Sequence, residues 1–144
     1  MKNLIVLTLA LLVCLPAFAR DTRHKYMIEE ALDTIDAKSK IDEDIKLYFG
    51  KTKHPKIVDD HGVYTSNKKT NAFNKSDHEA CKWVFLSAVL QLQKKARALG
   101  ANAVVGIESV YKNEKFVSSK KYMCGAGAVM AGVAFKGRVV TLKK

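Results

Sequence analysis

Residues 76–111 read SDHEACKWVFLSAVLQLQKKARALGANAVVGIESVY, and their reading decides the fold. The first two thirds carry apolar residues at helical spacing, and the remainder is β-rich. Ser76 is a natural N-cap, and Glu79 three residues on completes the pattern of a capping box. Asp77 and Glu79 place negative charge at the positive end of the helix dipole, and Lys94, Lys95 and Arg97 place positive charge at the other. Gly100 after Leu99 is a left-handed stop. The spacing therefore predicts a helix of about twenty-three residues, some 35 Å long at roughly 1.5 Å per residue.

At about 100° per residue, Cys81, Phe85, Ala88, Val89, Leu92, Ala96 and Leu99 fall in one arc roughly 100° wide. This arc is the expected core face. Trp83, Leu86 and Leu90 form a smaller patch on the far side, among Lys82, Gln93, Lys94 and Arg97. A helix lying on a single sheet does not need that patch. Either residues 27–35 cover it or a partner does.

Ahead of this stretch, residues 1–19 read as a signal peptide. Lys2 supplies the charged start, Leu4 and Leu15 bound the apolar run, and Ala17-Phe18-Ala19 is a small-x-small cleavage site. The apolar run is too short to span a bilayer. Val13 is too large for the residue that precedes a lipidated cysteine, so Cys14 is not expected to be a lipid anchor. Cleavage after Ala19 gives a periplasmic or secreted chain of about 125 residues, enough for one domain with one core.

Removing the leader takes away one cation, Lys2, and leaves a net charge near +10. Such a charge favours acidic partners: lipid surfaces, anionic polymers, nucleic acid. The lysines are spread along the chain, so no specific nucleic-acid partner is expected. Two cysteines remain, Cys81 and Cys124. In an exported chain an even pair points to a disulfide, which would close a loop of about 44 residues and contribute up to about 4 kcal/mol. Metal ligation is the alternative, but neither cysteine belongs to a CxxC pair.

Outward from the helix, residues 20–43 read as a polar N-terminal arm with a short helix, since Met27, Ile28, Ala31, Leu32 and Ile35 recur at helical spacing. Residues 44–144 read as a single α+β domain. A strand is expected over 44–49, with Ile45, Leu47 and Phe49 alternating with Lys46 and Tyr48. A second is expected over 56–66, broken at Asp59-Asp60-His61-Gly62. Residues 67–71, Asn-Lys-Lys-Thr-Asn, read as a polar loop, which Ala72 and Phe73 anchor to the core. Further strands are expected over 101–111, 116–124 and 128–142. In the last, Val129, Ala131, Val133, Phe135 and Val139 share a face, while Gly125, Gly127, Gly132 and Ala134 imply a bend or a close backbone approach. The expected fold is one mixed or antiparallel sheet of about four to five strands packed on one long helix.

Two phrases carry resemblances. Residues 99–107, LGANAVVGI, resemble the helix-to-strand junction of the YbjQ-type domain, a small α+β family catalogued as heavy-metal binding. The stress-sensor lipoprotein of the Rcs phosphorelay has a related, disulfide-stabilised fold. Residues 66–73 (SNKKTNAF), 79–88 (EACKWVFLSA), Cys124, Gly127 and 130–134 (MAGVA) resemble a group of small exported bacterial proteins catalogued as "excinuclease ATPase subunit". This second resemblance spans nearly the whole exported chain. The first implies a sensory or interaction role in the envelope, and the second name implies an ATPase. An ATPase loop needs Lys and Ser or Thr after its last glycine. Gly127 and Gly132 have the glycine spacing, but Val133 and Ala134 follow.

Four groups are candidate sites. Lys68, Lys69, Asn71 and Lys75, just ahead of a helix N-terminus, suit an anion, although Asp77 and Glu79 oppose it. Trp83, Leu86 and Leu90 suit a protein partner or a second copy of the chain. His54, Asp59, Asp60 and His61 include metal-ligand types without a known spacing, so no metal or other cofactor is expected. His78 lies three residues before Cys81, so a thiolate–imidazole pair arises only if that thiol is free. No catalytic residues are assigned. The expected function is a non-enzymatic exported envelope protein, an interaction or stress-sensing module. A basic protein that binds polyanions is the alternative, and a metal-binding protein a third.

Overall fold

The computed structural model describes residues 19–144. The leader expected over 1–19 lies outside the described residues, apart from Ala19. The chain runs β1 (Thr22–Met27), α1 (Ile28–Leu32), α2 (Ile35–Lys40), β2 (Lys46–Phe49), β3 (Ile57–Asn71), α3 (Asp77–Ala98), β4 (Ala103–Ser109), a short 3-10 turn (Tyr111–Asn113), β5 (Lys121–Ala126) and β6 (Met130–Leu142). It is an α+β fold: a curled, mixed six-stranded sheet with one long helix and two short ones.

Helix α3 forms where its signals lie. The Ser76 hydroxyl accepts the Glu79 amide at 3.1 Å. At the other end, Gly100 takes φ of 71°. The amides of Gly100 and Ala101 then donate back to the carbonyls of Arg97 and Ala96 at 3.1 and 3.0 Å. This is the glycine-terminated stop that satisfies two of the helix's last carbonyls.

Strand β6 is the axis of the sheet. One edge pairs with β3 along its whole length, from Leu142 opposite Ile57 to Met130 opposite Asn71. The other edge is shared. Ala131 and Gly132 pair with β5, and residues 135–140 pair with β4. β1 adds outside β5, antiparallel, and β2 adds outside β4, parallel. The sheet forks where β5 and β4 part, and the ring of Tyr111 fills the fork. A β-carbon at Gly125 would overlap that ring, and one at Gly132 would stand 2.8 Å from it. The sequence leads one to expect a bend or a close backbone approach here, whereas the nearest neighbour of Gly125 and Gly132 is a side chain.

The main core lies between the sheet and α3. Phe85 is its centre, with its ring 4.6 Å from Tyr122, 5.5 Å from Phe135 and 5.9 Å from Phe49. Val133, Phe135 and Val139 of β6 face the same core. The Cys81–Cys124 disulfide, with Cα atoms 6.0 Å apart, ties the first turns of α3 to β5.

Four expectations change. Residues 22–27 form a strand in the same sheet, and the expected short helix of the 20–43 arm follows as α1, so the arm begins inside the sheet. As an edge strand with a largely exposed face, β1 has little need of apolar residues. Residues 67–71 are not a loop but the end of β3, held by the β6 ladder. Phe73 does not anchor the chain, being 62 % exposed, whereas Ala72 is buried. The buried face of α3 is far wider than the expected arc. Ala80, Val84, Leu86 and Gln93 join it, so it spans roughly 240° of the wheel. The curled sheet accounts for part of that width, and α1 and α2 cover the rest.

Candidate functional site

Where β2 ends, Gly50 packs against the backbone of Ser118 and donates its amide to Ile107 at 2.8 Å. The chain then swings out as residues 50–56 before entering β3. That segment overhangs the face of the sheet opposite α3. Beneath it, the β4–β6 register shifts between Val105 and Glu108, a bulge that bends the strand and hollows the surface. The result is a groove of about 680 Å³ lined by Lys51, Lys53, His54, Val105, Gly106, Lys136 and Arg138, among others.

The groove is basic over an apolar floor. Lys136 and Arg138 stand two residues apart on β6 and so project from one face. Lys51 and Lys53 come from the overhanging segment. Among the described residues, Glu108 is the groove's one acidic lining residue and is already engaged, while Arg138 is itself held by Asp60 from outside the lining. Glu108 pairs with Lys115 at 3.3 Å. Asp60 pairs with Arg138 at 2.6 Å and accepts the Gly62 amide, which, with Arg138, holds its carboxyl below the usual range. Among the described residues, Lys51, Lys53 and Lys136 have no carboxylate within ion-pair distance. His54 is fixed by its own neighbours, with Nδ1 2.8 Å from the Pro55 carbonyl and the ring edge-on to Tyr48 at 5.6 Å. The arrangement offers mobile point charges above a shallow trough, suited to a ligand with spaced anionic groups.

The sites expected from sequence are distributed differently. Lys68 and Lys69 are neighbours on a strand and point to opposite faces. Lys68 lines a second groove, between β3 and α3, with Tyr64, Leu90, Gln91, Lys94 and Lys95. Lys69 and Asn71 lie on the other face, and Lys75 reaches back to the Asn71 carbonyl at 3.3 Å. The four do not converge on one anion. Of the apolar patch, Leu86 is 3 % exposed and Trp83 43 %. Leu90 is half-buried. Thr34 and Asp36 of the α1–α2 segment line a small hollow with Trp83 and Leu86, and the Lys40 ammonium lies 5.7 Å from the Trp83 ring. Intramolecular cover therefore accounts for most of the patch.

His61 bonds Thr141 at 3.0 Å with Asp59 3.6 Å away, Asp60 is held by Arg138, and His54 bonds the Pro55 carbonyl, so the four do not converge on one site. Among the described residues, no three His, Cys, Asp or Glu side chains gather as metal ligands. Cys81 is disulfide-bonded, which removes the thiolate that a pair with His78 requires. His78 instead meets Glu30 at 3.0 Å.

The residues missed in the sequence are Lys51, Lys53, Lys136 and Arg138. The signal was present in Lys51-Thr52-Lys53-His54-Pro55-Lys56 and in the alternate cations of β6, but only the β4 bulge brings the two together. A cluster at the start of α3 was also missed. Asp77 takes a bidentate pair from Arg20 at 2.7 and 2.8 Å and a third bond from His24 at 2.7 Å. The Arg20 guanidinium, with His24, lowers its pKa to about 2. Comparison with family models, with characterised proteins and with solved structures finds no match for this chain.

Proposed function

We propose that this chain is a non-enzymatic, exported binding module of the bacterial envelope, and that its ligand is an acidic polymer seated in the groove beneath residues 50–56. The observation that carries the reading is the convergence of Lys51, Lys53 and Lys136, none within ion-pair distance of a carboxylate among the described residues, with the Asp60-paired Arg138 over the Val105–Gly106 floor, where Glu108 is already paired with Lys115. The net charge of the exported chain, near +10, supports it. The leader read over 1–19 and the disulfide support an exported setting. The sensory role suggested by the resemblance would then be exercised through the polymer rather than through Trp83.

The test is binding of dextran sulfate, with uncharged dextran as the control. The proposal requires binding that weakens steeply with salt and that is lost in Lys53→Glu/Lys136→Glu but kept in Lys68→Glu/Lys94→Glu, which alters the second groove. Equal loss in both variants would mean general surface charge and not a site.

A further inference from the structure

We propose a second binding site, distinct from the groove: an apolar knob of Phe73, Val129 and Met130 that enters the surface of an anionic lipid bilayer. The three are 62, 58 and 47 % exposed, and the fold gathers them at one end of the β3–β6 ladder. Asn71 is the strand partner of Met130. The Ala72 amide donates to the Val129 carbonyl at 2.7 Å, and the Gly127 amide to the Met130 carbonyl at 2.8 Å. Ala72 is buried, so it fixes the backbone from which Phe73 projects. The Asn71 side chain accepts the Phe73 amide at 2.8 Å, and Asn74 turns the chain at φ of 59°. Phe73 is thus lifted into solvent by an Asx turn rather than left there by looseness. A set of large apolar side chains held outward in this way needs a partner.

Charge and geometry select a lipid. Lys69 lies two positions along β3 from Asn71 on the same face, and the Lys75 ammonium sits at the Asn71 carbonyl. The nearby Asp77 is already matched by Arg20 and His24, so the rim of the knob is positive. An aromatic and two flexible apolar side chains ringed by lysine suit the interface of a membrane with anionic headgroups. Three side chains are too small a patch for a standard protein interface of roughly 800 Å² per partner.

The experiment is co-sedimentation of the exported chain with vesicles of phosphatidylglycerol and phosphatidylethanolamine, against vesicles of phosphatidylcholine. The expected result is partitioning at least about tenfold stronger on the anionic vesicles. Phe73→Ser/Met130→Ser should weaken it by about tenfold at an unchanged melting temperature. Lys69→Glu/Lys75→Glu should weaken it comparably, and Lys53→Glu/Lys136→Glu should leave most of it intact. The proposal is overturned if the wild type does not sediment, if neutral vesicles bind as well, or if the Phe73/Met130 variant binds like wild type. It is also overturned if that variant instead abolishes self-association in sedimentation velocity, since the occupant would then be a second copy. Because the groove variant is a separate arm, loss of polymer binding and loss of vesicle binding are read independently.

Discussion

The ring of Tyr111 occupies the space that a β-carbon on Gly125 would need. The two residues hold open the fork at which β6 exchanges β5 for β4 as its neighbour. Tyr111 is buried there, with its hydroxyl 3.3 Å from Asp21 of the N-terminal segment. Gly125→Ala should therefore destabilise by about 2 kcal/mol or more through overpacking. Tyr111→Ala should cost about 3 kcal/mol through the cavity it leaves. The double variant should cost less than the sum, with a coupling of about 1 kcal/mol. Urea titration of all four chains measures it, and strict additivity would mean that the ring and the glycine do not share one space.

The disulfide joins the start of α3 to β5, across 43 residues of sequence. Reduction should lower stability by up to about 4 kcal/mol in the chain-entropy model. Denaturant midpoints with and without reductant, compared with Cys81→Ala/Cys124→Ala, give the value. If reduction leaves the midpoint unchanged, the bridge constrains little.

Gln93 is 2 % exposed and does the work of a small piece of backbone. Its amide donates to the carbonyls of Asp42 and Ile45 at 2.9 and 2.8 Å, and its oxygen accepts the Asp42 amide at 3.0 Å. It fixes the segment between α2 and β2. Gln93→Leu keeps the size and leaves three polar groups without partners, a cost of about 2–3 kcal/mol. A thermal melt within a degree of wild type would contradict this.

Asp77 sits in the first turn of α3, and its folded pKa is about 2 against an ordinary value of 3.8. A lowered carboxylate pKa stabilises the fold above the unfolded value and ceases to do so as pH falls through the folded one. Asp77→Asn should cost about 1 kcal/mol at neutral pH, through the helix dipole and a screened ion pair. The gap between variant and wild type should close between about pH 4 and pH 2. Denaturation curves over that range check it. A gap that is constant in pH would assign the effect to something other than this charge.

Much of the fold was legible because several residues agreed. Ser76, the apolar arc from Cys81 to Leu99, and Gly100 each mark α3 independently. The β-rich run after Gly100 and the alternation in β6 marked the sheet. β1 and the end of β3 were not legible, because strands at the edge of a sheet draw their stability from backbone pairing. Thr22-Arg23-His24-Lys25 and Asn67-Lys68-Lys69-Thr70 therefore carry no apolar alternation. Leu86 and Gln93 fall on the far side of a wheel drawn for one flat sheet, which leaves open whether residues 27–35 or a partner covers that side and does not show the curl. The groove depends on a bulge at Val105–Glu108, a register event that leaves no mark on hydrophobic pattern, so its four cations looked like scattered surface charge.

The most direct test of the proposed function is the affinity of wild type and Lys53→Glu/Lys136→Glu for dextran sulfate, followed by fluorescence anisotropy at low and at physiological salt. Reversing two of the site's three unpaired cations should weaken binding by about a hundredfold at low salt, and the variant should show the shallower salt dependence. Equal affinity in the two proteins, with parallel salt dependence, would contradict the groove as the binding site.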